Sequence, residues 1–259
     1  IRIFVDPDEE ILIFEPTYGM YRVAGEINGV NIKTCSLNEA FQMDFEAFST
    51  MVTEKTKIVF LASPNSPTGN VICGDDIERL CKIFRGIVIV DEAYVEFSSK
   101  PSLVSKVKDF ENLVILRTFS KAWGLAGLRV GYCIANPEIV GYLNKIKPPY
   151  NINRLSSLLV IKALKNCEVL FELRDKVLQE REKLTYELEK LNCKVFPSEA
   201  NFLMVRAPGA SRIVQKLSSD FGLIVRDFSM KPLLQDCFRI TVGTPEQNRL
   251  FIQSLSQLL

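Results

Sequence analysis

Short runs of β-branched and aliphatic residues, each followed by a polar or amphipathic stretch, recur through the first half of this chain and narrow its choice of fold. Ile11-Leu-Ile-Phe14 precedes Tyr18 to Gly29, and Lys57-Ile-Val-Phe-Leu-Ala62 precedes Asp75 to Phe84. Ile87-Val-Ile-Val-Asp91 precedes a short polar segment, and Leu113-Val-Ile-Leu116 precedes the turn that holds Lys121. Apolar runs without polar alternation are strands buried on both faces, and helix-length spacers are crossovers. The pattern predicts an α/β domain with a mainly parallel sheet flanked by helices. In such sheets ligands collect beyond the carboxyl ends of the strands, which is where Asp91 and Lys121 fall.

From about Arg154 to Lys190 the sequence reads as one long amphipathic helix rich in Glu, Lys, Arg and Leu, with Asn192 as its stop. Beyond it, strand-like Asn201–Val205, helical Ser211–Ser219, strand-like Leu223–Arg226 and Phe238–Val242, and a last helix make a smaller α+β unit. The expected organisation is a large domain over 1–153, a linking helical segment over 154–191 and a small C-terminal domain over 192–259. The chain opens without Met on Ile1-Arg-Ile-Phe-Val-Asp-Pro7, which reads as the tail of a helix and a connection, so the large domain is expected to be N-terminally incomplete.

Composition removes several kinds of chemistry. A formal charge of +1, spread along the chain, offers no basic field for nucleic acid. No apolar stretch approaches the roughly 20 residues that span a bilayer, and no signal pattern opens the chain, so the expected compartment is the cytoplasm and no membrane partner is expected. The seven cysteines include no paired Cys-x-x-Cys and lie mostly in apolar runs, which predicts reduced, buried thiols. With no histidine in 259 residues, the commonest metal ligand and general base is absent. No metal site is expected, and proton transfer falls to lysine, tyrosine or a carboxylate.

Chemistry-bearing residues gather in four patches at strand ends: Ser63-Pro-Asn-Ser-Pro-Thr-Gly-Asn70, Val90-Asp-Glu-Ala-Tyr94, Thr118-Phe-Ser-Lys121 and Gly127-Leu-Arg-Val-Gly131. A lysine in a turn after an apolar strand, with Arg129 following in a glycine-rich segment, suits a Schiff base beside a phosphate anchor and points to pyridoxal 5'-phosphate. That cofactor acts as an electron sink when its ring nitrogen is protonated, which requires a carboxylate in a poorly solvated place, and Asp91 fits. A helix-capping aspartate is the alternative for Asp91, a plain turn for Asn65, and an ion pair with Asp227 for Arg226.

In order and spacing the four patches, with Phe238-Arg-Ile-Thr-Val-Gly-Thr244, resemble the fold-type I pyridoxal-phosphate aminotransferases, most closely the histidinol-phosphate type, from about Ile11 to the C-terminus. The resemblance implies Lys121 as the Schiff-base lysine and proton carrier, and Asp91 at the ring nitrogen. It implies Asn65 and Tyr94 as donors to the ring oxygen, Arg129, Ser120 and Thr118 at the phosphate, and Tyr18 against the ring face. Tyr21 reads as core. Arg239 resembles the arginine that binds the substrate α-carboxylate, and Arg226 matches a second arginine of the histidinol-phosphate type.

The implied reaction is a ping-pong transamination between histidinol phosphate and 2-oxoglutarate, by a homodimer. Left open are an aromatic or other amino-acid aminotransferase and a threonine-phosphate decarboxylase on the same scaffold. A pyridoxal-phosphate-sensing binding module and an inactive fragment are the readings of a different class.

Overall fold

A computed structural model describes residues 1–259. Strands β1 (Glu10–Glu15), β2 (Asn31–Ser36), β3 (Thr56–Ala62), β4 (Ile87–Asp91), β5 (Leu113–Thr118) and β6 (Gly131–Ile134) form one sheet in the order β2-β1-β3-β4-β5-β6. The first five are parallel to their neighbours, and β6 runs antiparallel to β5. Side chains alternate between two cores, as the pleat requires. Leu12, Phe14, Val59, Leu61, Val88, Val90, Leu113 and Ile115 face one, and Ile11, Ile13, Ile58, Phe60 and Ala62 face the other. Helices α1 (Met20–Ile27), α2 (Phe45–Met51) and α3 (Gly74–Ile83) lie in the connections between the parallel strands. The apolar runs are therefore buried on both faces, as their lack of alternation implies.

Two strands escape a sequence reading based on apolar runs. β2 carries Asn31-Ile-Lys-Thr-Cys-Ser36 on one edge of the sheet, with only Cys35 buried, and β6 is a short strand on the other edge. Ile1 to Val5, expected as a helix tail, makes a single turn in which the Phe4 and Val5 N–H groups both donate to the Ile1 carbonyl.

After α4 (Pro137–Ile146), the long helix expected over Arg154–Lys190 is two helices, α5 (Arg154–Leu164) and α6 (Cys167–Lys190). Asn166 makes the break: its side-chain Nδ2 donates to the Lys162 carbonyl at 2.7 Å, closing the last turn of α5. At the far end Asn192 takes the left-handed conformation (φ +59°) that stops α6, as expected. A second sheet follows from β7 (Lys194–Val195), β8 (Phe202–Arg206), β9 (Arg226–Asp227) and β10 (Cys237–Thr241), ordered β7-β8-β10-β9 with antiparallel neighbours. Helix α7 (Ala210–Phe221) and helix α8 (Pro245–Leu255) pack on it with Leu184 and Leu188 of α6. The strand expected at Leu223–Arg226 shrinks to Arg226–Asp227, because the Leu223 N–H closes the end of α7 on the Leu217 carbonyl.

All seven cysteines are free; Cys35, Cys81, Cys193 and Cys237 are buried as expected, whereas Cys73 is exposed and Cys133 and Cys167 are half-buried. No helix is long and apolar enough to cross a membrane.

The two sheets meet through specific contacts. Phe196, Met204, Leu234 and Cys237 of the second unit join the core of the first. Arg181 of α6 donates to the carbonyls of Phe97 and Ala200 at 3.4 and 2.9 Å. Gly69, at φ +85°, accepts from the Glu199 N–H at 2.7 Å, and a Cβ there would stand 2.6 Å from Ser198 Oγ. Only glycine fits this close approach. Gly69→Ala is expected to cost about 1–3 kcal/mol and lower the melting temperature by several degrees; an unchanged Tm would remove this contact from the account.

Candidate active site

Parallel strands all end on one edge, so the residues just past them are forced together. Tyr18 follows β1, Asn65 follows β3, Asp91 ends β4 and Lys121 follows β5. β2 lies on one side of β1 and β3 to β6 extend from the other, which opens a crevice at the carboxyl edge. A cavity of about 360 Å³ lies there. Its wall includes Tyr18, Asp91, Tyr94, Thr118, Ser120, Lys121 and Arg129 from the sequence reading, together with Tyr21, Ser66 and Arg117, which that reading did not select.

Asp91 Oδ2 accepts from the Tyr21 hydroxyl at 2.8 Å, and Oδ1 accepts from the Ala93 N–H at 3.0 Å. Burial holds the Asp91 carboxyl above its ordinary range, against the opposite pull of the Tyr21 phenol, the Ala93 N–H and the Lys121 charge. Lys121 has no ion-pair or hydrogen-bond partner, and its Nζ stands 5.1 Å from the centre of the Tyr94 ring. Tyr94 packs edge-on against Phe202 of β8, so the second sheet fixes this wall of the cavity. Tyr18 is half exposed and meets Tyr21 edge-to-face.

Thr118 Oγ1 accepts the Ser120 N–H at 3.0 Å and shapes the turn before Lys121. Arg129 sits at φ +56°, with Nη1 donating to the Ala126 carbonyl at 3.1 Å. Its turn is tied down by the buried Ser156 of α5, whose hydroxyl donates to the Leu128 carbonyl at 2.9 Å.

Asn65 does not reach the cavity wall. It is buried to 1% exposure, and Nδ2 donates to the Pro16 carbonyl at 2.8 Å and to Thr68 Oγ1 at 2.7 Å, while Oδ1 accepts from Thr17. Both amide hydrogens are committed to the turn, so in this arrangement Asn65 holds the turn together while its neighbour Ser66 faces the cavity. Arg239 and Arg226 pair across β10 and β9 and likewise stand outside the wall. Arg239 reaches it indirectly, with Nη1 donating to Ser66 Oγ at 2.9 Å and the guanidinium 4.8 Å from the Phe202 ring.

Arg117 bridges two carboxylates that flank Tyr94, reaching Glu92 at 3.3 Å and Glu96 at 2.8 Å. Glu92 also accepts from the Ser102 hydroxyl at 2.6 Å and the Leu103 N–H at 2.7 Å. The cluster staples the turn carrying Tyr94 to β5. Apolar periodicity gives no sign of it, because Arg117 interrupts a strand whose other residues are ordinary.

The donor set fits a flat heterocycle with a ring N–H at one end and a phosphate at the other. A largely buried carboxylate that could take the N–H, an unpaired amine, and a guanidinium with a hydroxyl that could hold the phosphate share one cavity. Fold and cavity together define a fold-type I pyridoxal-phosphate enzyme. The chain belongs to the aminotransferase class I and II family, whose model matches residues 1–255, and it is a pyridoxal-phosphate-dependent aminotransferase that works on small-molecule amino donors and oxo-acid acceptors. It is 43% identical over 258 residues to the histidinol-phosphate aminotransferase of Cytophaga hutchinsonii, covering 98% of this chain and 74% of the relative. The corresponding enzyme of Caldanaerobacter subterraneus subsp. tengcongensis is 45% identical over 258 residues, covering 99% of this chain and 73% of that one. Among solved structures, histidinol-phosphate aminotransferase from Sinorhizobium meliloti in complex with pyridoxal-5'-phosphate superposes with a TM-score of 0.91 at 25% identity, over 99% of this chain and 72% of that one.

Removing Arg117 leaves the buried Glu92 carboxylate and the partly buried Glu96 carboxylate without a cation. Arg117→Met is expected to cost about 3–5 kcal/mol. Burial already raises the Glu92 carboxyl in the folded protein. A carboxyl whose pKa rises on folding binds more protons in the native state, so its penalty grows as pH climbs through and above the ordinary carboxylate range. The variant should lose more stability near about pH 8 than near about pH 5 by denaturant unfolding. A loss independent of pH would assign Arg117 to packing alone.

Proposed function

We propose that this aminotransferase exchanges the amino group between histidinol phosphate and 2-oxoglutarate, giving imidazole-acetol phosphate and glutamate. The observation that carries the substrate choice is the pair of arginines, Arg226 and Arg239, set opposite one another on adjacent strands of the small sheet. Two guanidinium groups suit a phosphate dianion, and the same pair suits the carboxylates of glutamate. The names of the two relatives above support the same choice.

Pyridoxal phosphate, when bound, supplies an aldehyde that condenses with amines and a protonated ring that takes up the electron pair released at the substrate α-carbon. Lys121 Nζ would be the amine that anchors the cofactor and, when free of it, the base that takes the proton from the substrate α-carbon and delivers it to the cofactor carbon. Asp91 would hold the ring N–H, and the Tyr94 hydroxyl, which has no partner in the protein, would be free to donate to the ring oxygen. Asn65 acts on that oxygen only if its amide leaves the Pro16 carbonyl or Thr68, so its support comes from the family pattern and not from the present geometry. Arg129 and Ser120 hold the phosphate, with Thr118 fixing Ser120, and Tyr18 covers the ring face. Arg239 leaves Ser66 to bind the substrate carboxylate.

The active form we propose is a homodimer in the cytoplasm. Leu155, Leu158, Ile161 and Leu164 of α5 and Phe171 and Leu173 of α6 are exposed, an apolar surface of the kind a second subunit covers. Light scattering should return twice the chain mass; a monomer that transaminates would refute the requirement.

Supplied with 2-oxoglutarate, the protein should form glutamate faster from histidinol phosphate than from phenylalanine or threonine phosphate. Turnover of phenylalanine without turnover of histidinol phosphate would overturn the substrate choice. Arg226→Met should raise the KM for histidinol phosphate by about ten- to a hundredfold, the worth of a charge-assisted hydrogen bond. An unchanged KM would return Arg226 to a surface role.

A further inference from the structure

Tyr21 is the second tyrosine of Pro16-Thr-Tyr-Gly-Met-Tyr21 and sits in the first turn of α1, where its sequence context reads as core packing. Its ring does pack: it is 6% exposed and stacks on Phe60 with centroids 5.0 Å apart and planes 14° from parallel. Phenylalanine would pack as well. A buried hydroxyl costs free energy unless it is paired, and this one is paired with Asp91 Oδ2 at 2.8 Å.

We propose that Tyr21 is a positioning residue for Asp91, fixing the plane of the carboxylate and favouring its anionic form so that it can receive the ring N–H of the cofactor. This rests on the reading of Asp91 given under the proposed function. The carboxylate has one fixed donor on each oxygen, Tyr21 on Oδ2 and the Ala93 N–H on Oδ1. Two donors at different oxygens stop the group from rotating, and each oxygen keeps a lone pair. The direction of the bond is settled by the surroundings: burial and the Asp91 charge push the Tyr21 phenol well above its ordinary range, so it stays protonated and donates. Facing Asp91 are Tyr18 and Tyr21 from the α1 side, Tyr94 from the following turn and Lys121 from the turn after β5, with Arg117 and Arg129 elsewhere in the wall. Asp91 is the only carboxylate lining the cavity. Among these groups Tyr21 alone makes a side-chain hydrogen bond to it.

Tyr21→Phe removes the hydroxyl and keeps the stacked ring. Equilibrium binding of pyridoxal phosphate to the whole chain, followed by absorbance, is the readout, with the melting temperature recorded alongside. The substitution should weaken binding about tenfold at neutral pH, the scale of one charge-assisted hydrogen bond. The deficit should widen from about pH 8 to about pH 6, because an Asp91 without its phenol donor protonates more readily and a protonated carboxyl cannot accept the ring N–H. In the Asp91→Asn background the same substitution should change nothing further. Equal weakening in both backgrounds, or no weakening with Asp91 present, would overturn the proposal while leaving Asp91 in place. If Asp91→Asn alone leaves binding unchanged, the Asp91 assignment falls and this proposal with it. Failure to turn over histidinol phosphate bears on neither.

Discussion

The parallel pairing of β4 with β5 is the constraint on which the active-site geometry depends. Asp91 lies opposite Leu116, and the ladder continues as the Glu92 N–H donates to the Leu116 carbonyl. That register puts the end of one strand, with its carboxylate, beside the strand that leads into Lys121. A slip by one residue would turn Asp91 and every other side chain of β4 to the opposite face. The apolar cores on both faces prevent the slip, since Val88 and Val90 would have to exchange cores with Ile87 and Ile89. Sheet packing remote from the cavity therefore sets how Asp91 and the turn holding Lys121 are placed relative to one another.

Around that register the protein keeps charges in places where burial opposes them. Asp91 and Glu92 are consecutive, point to opposite sides of the strand end, and are both raised above the ordinary carboxylate range by burial. Each is held by several donors. Asp91 has a phenol and a backbone N–H; Glu92 has a hydroxyl, a backbone N–H and the Arg117 guanidinium. The first set leaves the carboxylate open to the cavity, as the proposed role of Asp91 requires, whereas the second closes around its carboxylate and anchors the turn that carries Tyr94. Adjacent acids thus serve separate ends through separate surroundings.

How far the sequence discloses this depends on what kind of signal each part leaves. β1, β3, β4 and β5 are legible because strands buried on both faces are continuous apolar runs, and the turns after them carry the polar patches. β2 and β6 are edge strands of mixed composition and leave no such trace. The break between α5 and α6 depends on one asparagine within an otherwise helical pattern. Of the candidate residues, Asp91, Tyr94, Ser120 and Lys121 line one cavity because each ends or closely follows a legible strand, and Arg129 joins them from the glycine-rich segment before β6. Tyr21 and Arg117 are silent because a hydroxyl or a guanidinium that finds a buried partner looks, in sequence, like packing or surface charge. Asn65 shows the converse: its turn is legible, but the turn itself uses both of its amide hydrogens.

The central claim is that Lys121, alone among the lysines, carries the cofactor opposite Asp91. Loading the protein with pyridoxal phosphate, reducing it with borohydride and mapping the phosphopyridoxyl group by peptide mass spectrometry tests it directly. The account predicts a single modified site at Lys121. Modification centred on another lysine, or spread over surface lysines without preference for Lys121, would contradict it.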